Sequence, residues 1–439
     1  MTMGFTSIDL FAGCGGLSLG LAQAGFNHLF AIESHPHAFA TYHHNLVSGK
    51  AYQKRWPKWL DERAHDILDV IKENETELKQ LRGSVDLVAG GPPCQGFSMN
   101  GRRDPEDPRS QMIKAYFDFV DLVQPRIVLL ENVQGFTSMP HDTHGNYPNF
   151  AKARLRELGY DPFETTLPAS DFGVPQRRPR YLLIGLKAGA LPGVNPVERL
   201  NVGRRKFLEK LGLGMKPISV SEALCDLETL DEKLVDDPDF GRRGFKVLDY
   251  KAPKIKSAYI RLMRDGWPGK PSDMRLARHS EKVVERLQDI LKNCKRGQCI
   301  TADDRDRFGI KKRSVTPLDP AAPAPTITTL PDDLVHYSEP RTMTVREHAR
   351  IQSFPDWFKF CGPYTTGGHR RKYDCPRFTQ VGNAVPPLLA RAIGETISSL
   401  LRDQEIRNLA DSSKVIQKVT PVTWKVFNGH ERISVPVQN

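Results

Sequence analysis

The chain has 439 residues, 39% hydrophobic and 26% charged, with a formal net charge of +11. That length holds two or three domains with a large core, and no apolar run approaches the roughly 20 residues needed to cross a bilayer. A soluble, cytoplasmic protein is expected, without a membrane partner, and its scattered cysteines (14, 94, 225, 294, 299, 361 and 375) read as reduced thiols rather than a disulfide framework.

Residues 7–11 form a short apolar strand, residues 13–16 a tight glycine turn, and residues 17–24 an apolar-periodic helix that stops at Gly25. The next strand, 29–32, ends at Glu33, an acidic residue about 20 positions after the turn. Glycines allow close backbone approach and a carboxylate accepts from ribose hydroxyls, so this βαβ opening suits an adenosine-type cofactor; a purely structural glycine turn fits it equally well. Gly13-Cys-Gly-Gly-Leu-Ser18 carries serine where the dinucleotide fingerprint needs its third glycine, which disfavours a pyrophosphate cofactor.

Residues 36–46 read as a helix, 47–63 with Trp56 and Trp59 as an irregular insertion, and Asp66 as the end of a short strand-like piece before a helix over 67–81. Residues 85–89 are a buried strand. Gly90 and Gly91 permit unusual dihedrals and Pro92 and Pro93 then fix the backbone, so Cys94 emerges at the strand's carboxyl end, where α/β sheets collect ligands. A helix over 111–123 and a strand over 126–130 lead to Glu131-Asn-Val133. After a helix at 150–158, segments 163–167 and 180–186 alternate as paired strands around Val174-Pro-Gln-Arg-Arg-Pro179. The recurrence of strand, helix and strand predicts an α/β layer fold.

From 187 to 340 that rhythm is lost. Residues 241–315 hold 21 Lys or Arg against 9 Asp or Glu, a surplus of 12 that exceeds the whole chain's +11 and implies a polyanionic partner. Thr344 and Glu347 form a capping box for a helix over 344–352, residues 386–401 form a last long helix, and the tail from Asp411 alternates (Val415, Val419, Val422, Val426) like a strand pair. Cys294, Cys299, Cys361 and Cys375 lack a recognised zinc spacing and read as small buried residues; no metal is expected.

Cys94 could serve as redox thiol, acyl carrier or nucleophile. No second cysteine stands at C-x-x-C spacing, whereas Glu131 closes a neighbouring strand and Arg178 and Arg180 flank a hairpin. A nucleophile, a proton donor and a cationic clamp suit addition to a ring that must be protonated.

Six motifs carry a family resemblance, in the family's order: Asp9-Leu-Phe-Ala-Gly-Cys-Gly-Gly-Leu-Ser-Leu-Gly20, Gly91-Pro-Pro-Cys-Gln-Gly-Phe-Ser98, Glu131-Asn-Val133, Gln176-Arg-Arg-Pro-Arg180, the stretch 341–355 and Gln380-Val-Gly-Asn-Ala-Val-Pro-Pro387. The chain resembles the cytosine-5 DNA methyltransferases of the bacterial restriction-modification type. The resemblance implies a doubly wound, mostly parallel seven-stranded Rossmann-like sheet, with a smaller irregular target recognition domain. It divides the chain into a catalytic domain over 1–186, a recognition domain over 187–340, a return segment over 341–405 and a tail over 406–439. It implies S-adenosylmethionine as cofactor, S-adenosylhomocysteine as product and double-stranded DNA as partner. A monomer is expected, with a separate cognate restriction endonuclease and association with the nucleoid on DNA.

The same resemblance gives Cys94 the attack on carbon 6 of a flipped-out cytosine, Glu131 the proton for ring nitrogen 3, and Arg178 and Arg180 the base's carbonyl oxygen. It gives Phe11, Gly13, Gly15, Gly16, Leu17, Glu33, Asp66, Ile67, Met112, Asn383 and Ala384 to the cofactor, and Gln95, Ser98 and Arg109 to DNA. Residues 95–110 then form a loop over the base, and 326–329 the junction with the recognition domain. Phe11 as plain core and Asp66 as a helix cap are the structural alternatives. Methylation of transfer RNA and a catalytically silent DNA-binding protein are the competing functions.

Overall fold

The computed structural model describes residues 4–49, 56–93, 108–238, 244–251, 257–365 and 373–418, with side chains described outside 108–110 and 410–418. The opening βαβ unit is β1 (Thr6–Leu10), α1 (Gly16–Gln23) and β2 (Asn27–Ile32), followed by α2 (Pro36–Tyr42), which widens into a π-helical turn over His43–Val47. The helix expected over 67–81 is two, α3 (Ile67–Glu73) and α4 (Glu75–Gln80), because Asn74 leaves the helical region at φ −122° and ψ 30°. Then come β3 (Leu87–Gly90), α5 (Pro108–Val123) and β4 (Ile127–Val133), a small ribbon of β5 (Pro140–His141) and β6 (Gly145–Asn146), α6 (Tyr147–Glu157), β7 (Tyr160–Pro168), β8 (Gln176–Arg177) and β9 (Pro179–Lys187).

The central sheet has the order β2-β1-β3-β4-β9-β7. Neighbours are parallel from β2 to β4, and β9 runs antiparallel to both β4 and β7. Among the described residues the sheet has six strands rather than seven. The polar run before Asp66 makes one backbone bond to the edge, from His65 N to Glu33 O at 2.9 Å, and no strand. Side chains alternate between two cores: Ile8, Leu10, Val88, Val128 and Leu130 pack under α3 to α6, whereas Leu87, Ala89, Ile127, Leu129 and Leu182 pack on the opposite face. Burial on both faces explains why these strands read as continuous apolar runs.

The middle of the chain holds α7 (Pro196–Lys210), α8 (Val220–Leu224), β10 (Leu234–Asp236), β11 (Lys246–Leu248), α9 (Ala258–Arg264), α10 (Glu281–Asn293), α11 (Ala302–Phe308), β12 (Thr316–Pro317), β13 (Ala324–Pro325) and β14 (Leu334–Val335). None of its described strands exceeds three residues. Leu287, Ile290, Ile300, Val315 and Val335 make a small separate core there. The chain then returns through α12 (Val345–Ile351), α13 (Arg377–Asn383) and α14 (Pro387–Lys418).

Every residue of α12 is buried, with the Thr344–Glu347 capping box in place. Arg350 is held between Asp356 (2.5 Å) and Asp226 (3.0 Å), and Glu347 accepts both Nη groups of Arg341 at 2.7 and 2.9 Å. Charges this deep persist only when fully paired. Helix α14 lies close on α1 because Gly20 has no side chain: a Cβ there would stand 2.4 Å from Pro387 O and from Ala390 Cβ.

Two further expectations need correction. Residues 411–418 continue α14 instead of forming a strand, so the alternation at Val415 is a helical stretch read with the wrong period, while Val419, Val422 and Val426 lie outside the described residues. Cys299 is exposed and Cys294, Cys361 and Cys375 are half-buried, so these four are not core residues.

Candidate active site

The strand order reverses direction between β1 and β3, and a crevice opens there at the strands' carboxyl ends, as the topology requires. It holds a cleft of about 390 Å3, lined by residues from five separate strand ends. Phe11 and Gly13 follow β1, Glu33 follows β2, Gly91 to Pro93 follow β3, Glu131 to Val133 end β4, and Arg178 and Arg180 stand at the start of β9, which its antiparallel course brings to the same edge.

The glycine turn is shaped by backbone. Phe11, Gly13 and Gly15 all have positive φ (57°, 58° and 96°), and for Phe11 that conformation carries strain of about 1–3 kcal/mol, the kind stored at functional sites. Glu33 fastens the turn by accepting from Gly13 N at 2.9 Å and from His35 N at 2.7 Å, while burial pushes its carboxyl above the usual range. Leu17 also lines the cleft. Gly16 serves packing more directly than ligand approach, since a Cβ on it would meet Val385 O at 2.3 Å, and one on Gly15 would meet Leu46 Cδ1 at 2.7 Å.

Period two puts Glu131 on the same face of the sheet as Leu129, with Arg180 on that face of β9 opposite Val133. The two side chains form a buried ion pair, Arg180 Nε to Glu131 Oε1 at 2.8 Å. Burial nevertheless pushes the Glu131 carboxyl upward, against the pull of Arg180 and Arg178. Arg180 Nη1 donates to Pro179 O at 2.8 Å. Asn132 Nδ2 donates to Pro92 O at 3.1 Å and so ties the acid's strand to the proline turn. Gly91 leaves room for this acid, since an added Cβ would lie 3.0 Å from Glu131 Oε2 and press on it.

Arg178 is engaged differently from Arg180. Its Nη1 donates to Ile327 O at 3.0 Å and its Nη2 to Gly382 O at 2.6 Å, so the fork joins the arginine strand to the 326–329 junction and to the closing motif. Asn383 and Ala384, from the closing motif, also line the cleft.

Several predicted residues fall elsewhere. Asp66 caps α3 by accepting from Leu68 N at 2.8 Å, Ile67 is buried in the core beneath α5, and Met112 packs against that core; none lines the cleft. Cys94, Gln95 and Ser98 lie outside the described residues, as does the side chain of Arg109. Sequence reasoning missed Asp9, which is buried on the cleft wall with Oδ2 accepting from Ser18 Oγ at 2.5 Å, Oδ1 unpartnered, and its carboxyl pushed up to about 7 by burial. An acid inside an otherwise apolar strand just before a glycine turn was the available signal. Gln380 and Cys375 also line the cleft and were missed; only the inclusion of Gln380 in a motif hinted at it.

Residues 5–399 match the model of the C-5 cytosine-specific DNA methylases. The chain belongs to that family. It is 31% identical over 427 residues to the type II methyltransferase M.DdeI of Desulfomicrobium norvegicum, covering 94% of this chain and 92% of that one. It is also 31% identical over 434 residues to M.XorII of Xanthomonas oryzae pv. oryzae, covering 93% and 89%. Among solved structures it resembles an E. coli prophage-encoded protein described as a DNA modification methyltransferase, with a TM-score of 0.58, 25% identity, and coverage of 91% of this chain and 99% of that one. Enzymes of this family methylate carbon 5 of cytosine in DNA with S-adenosylmethionine as methyl donor, and the α/β fold with a mainly parallel sheet is the one that the resemblance implied. Among the described residues no helix is long and apolar enough to cross a membrane.

Proposed function

We propose that the cleft holds a flipped cytosine against Glu131 and Arg180 while the β1 turn and the closing motif hold the cofactor, and that the chain modifies a short sequence in double-stranded DNA as the methyltransferase of a restriction-modification system. The observation that carries this is the sharing of one cleft: Pro93, the last described residue before Cys94, lines it together with Glu131, Arg180, Glu33 and Ala384. Its volume of about 390 Å3 suits a nucleoside-sized ligand. A cytosine stacked in a duplex is out of reach, so the base must leave the helix.

The chemistry follows from what cytosine lacks. Carbon 5 is a weak nucleophile until the ring is saturated at carbon 6. In this reading the Cys94 thiolate adds there, and the proton that neutralises ring nitrogen 3 comes from Glu131, whose burial keeps it protonated further up the pH range. Arg180 fixes Glu131 through Nε and can turn Nη2 to the base's carbonyl oxygen. Arg178, whose two Nη groups are held by Ile327 and Gly382, acts in this reading as a positioning residue. S-adenosylmethionine supplies the electrophilic methyl group to carbon 5. A water molecule then takes the carbon 5 proton, the bond to sulfur breaks with its electron pair returning to Cys94, and ring nitrogen 3 gives its proton back to Glu131, so the aromatic ring, the thiolate and the acid are all restored. For the cofactor, Glu33 stands ready for the ribose hydroxyls, and Phe11, Gly13 and Leu17 on one side and Asn383 and Ala384 on the other form the walls.

A duplex carrying 5-fluorocytosine at the target position tests the reading, because fluorine cannot leave as a proton does. Incubation with S-adenosylmethionine is expected to give an enzyme–DNA complex that survives denaturation and disappears in Cys94→Ser. Labelling of transfer RNA in place of duplex DNA would overturn it.

A further inference from the structure

Gln176 and Gln352 lie outside the cleft, and both are fully buried. Their side chains meet head to head, Gln176 Nε2 donating to Gln352 Oε1 at 2.8 Å. Each amide then spends its other end on backbone from a distant part of the chain. Gln352 Nε2 donates to Val381 O at 2.8 Å and to Ala384 O at 3.1 Å. Gln176 Oε1 accepts from Ile327 N at 2.9 Å and from Arg178 Nη1 at 3.4 Å. One continuous run of hydrogen bonds thus leads from the 326–329 junction, through β8 just before Arg178 and Arg180, to Ala384 on the cofactor side of the cleft.

The site's geometry gives this run a task. Arg180 and Ala384 line the same cleft, but they belong to segments about 200 residues apart in sequence, and no described β-ladder joins the closing motif to the sheet. Their relative placement rests on side chains. Gly382 leaves little slack there, since a Cβ on it would stand 2.3 Å from Thr328 O. Two primary amides are suited to such a joint, because each offers donor and acceptor at once and neither brings a charge into a dry interior.

We infer that the Gln176–Gln352 pair is a positioning device that sets the cofactor wall at Ala384 in register with the arginine strand, so that the cofactor's affinity depends on a residue, Gln176, that does not line the cleft. The inference rests on the proposed placement of the cofactor between the β1 turn and the closing motif.

A double-mutant cycle on the full-length enzyme, read by equilibrium binding of S-adenosylmethionine without DNA, separates the two. Gln352→Ala is expected to weaken binding about tenfold, the worth of a buried hydrogen bond. Gln176→Ala is expected to weaken it several-fold, and the double variant about as much as Gln352→Ala alone, because the two act as one unit. Gln352→Met, which keeps the length of the side chain, adds no charge and loses both amide ends, should behave like Gln352→Ala, and it replaces that variant if the alanine chain fails to fold. Cofactor affinity within twofold of the parent in folded Gln176→Ala and Gln352→Met overturns the inference, as does a double variant whose loss is the product of the single losses. Failure of the functional reading looks different: Glu33→Ala, on the cleft wall itself, would then leave binding intact.

Discussion

Glu131→Gln keeps the size of the side chain and removes the proton that the proposed mechanism takes from this residue. The amide oxygen can still accept from Arg180 Nε, which stands 2.8 Å from the carboxylate, so the buried partner is not stranded. The stability cost is then about 1–2 kcal/mol, against roughly 3–5 kcal/mol for stripping one member from a buried pair. The catalytic cost is larger. A general acid contributes about 100- to 10,000-fold, equivalent to about 2.7–5.4 kcal/mol of barrier. The pH dependence has a definite sign: burial raises the Glu131 carboxyl above its ordinary value, so the protonated, donating form prevails on the acid side and kcat falls as pH rises through the raised value. Tritiated-methyl incorporation into DNA at saturating cofactor, measured between pH 5 and 9 with circular dichroism as a check on folding, reads both effects. A folded Glu131→Gln enzyme with kcat within about tenfold of the parent would refute Glu131 as the proton donor.

Arg180→Lys keeps a charge beside Glu131 but cannot hold carboxylate and base together, so kcat in the same assay should fall about 100-fold while cofactor affinity changes little. Gly16→Ala places a Cβ 2.3 Å from Val385 O, and thermal unfolding should show a loss of about 1–3 kcal/mol together with weaker cofactor binding, because the wall at Ala384 must move. Arg341 holds the buried Glu347 carboxyl well below its ordinary value, so the pair's stabilisation is fully present above the unfolded carboxylate's pKa and fades as pH falls below it. Arg341→Met should therefore lower the urea midpoint at pH 7 by the equivalent of about 3–5 kcal/mol, with the gap to the parent narrowing toward pH 4.

The strands and the composition of the cleft were legible in the sequence for one physical reason: both faces of the sheet are buried, so each strand announces itself as an apolar run, and the polar residues at the ends of those runs (Glu33, Glu131, Arg180) stand out against it. What stayed hidden depends on contacts between distant segments. The buried arginines Arg346 and Arg350 look like surface charges in a helix of mixed composition until Asp273, Asp226 and Asp356 are seen around them. Likewise nothing local distinguishes Gln176 and Gln352 from solvent-facing amides. Asp66 has a reading that needs no ligand, since a carboxylate before a helix caps it, and the structure shows that cap on α3. The π-helical turn over His43–Val47 and the break at Asn74 are shifts of backbone register that apolar periodicity alone does not report.

Bisulfite sequencing of plasmid DNA from a methylation-free host expressing the chain tests the central claim most directly. One cytosine within a short recurring sequence should resist conversion at nearly every occurrence, and it should convert fully when Cys94→Ser or Glu131→Gln is expressed instead. Plasmid DNA that converts completely with the parent enzyme, present and folded, would contradict the account.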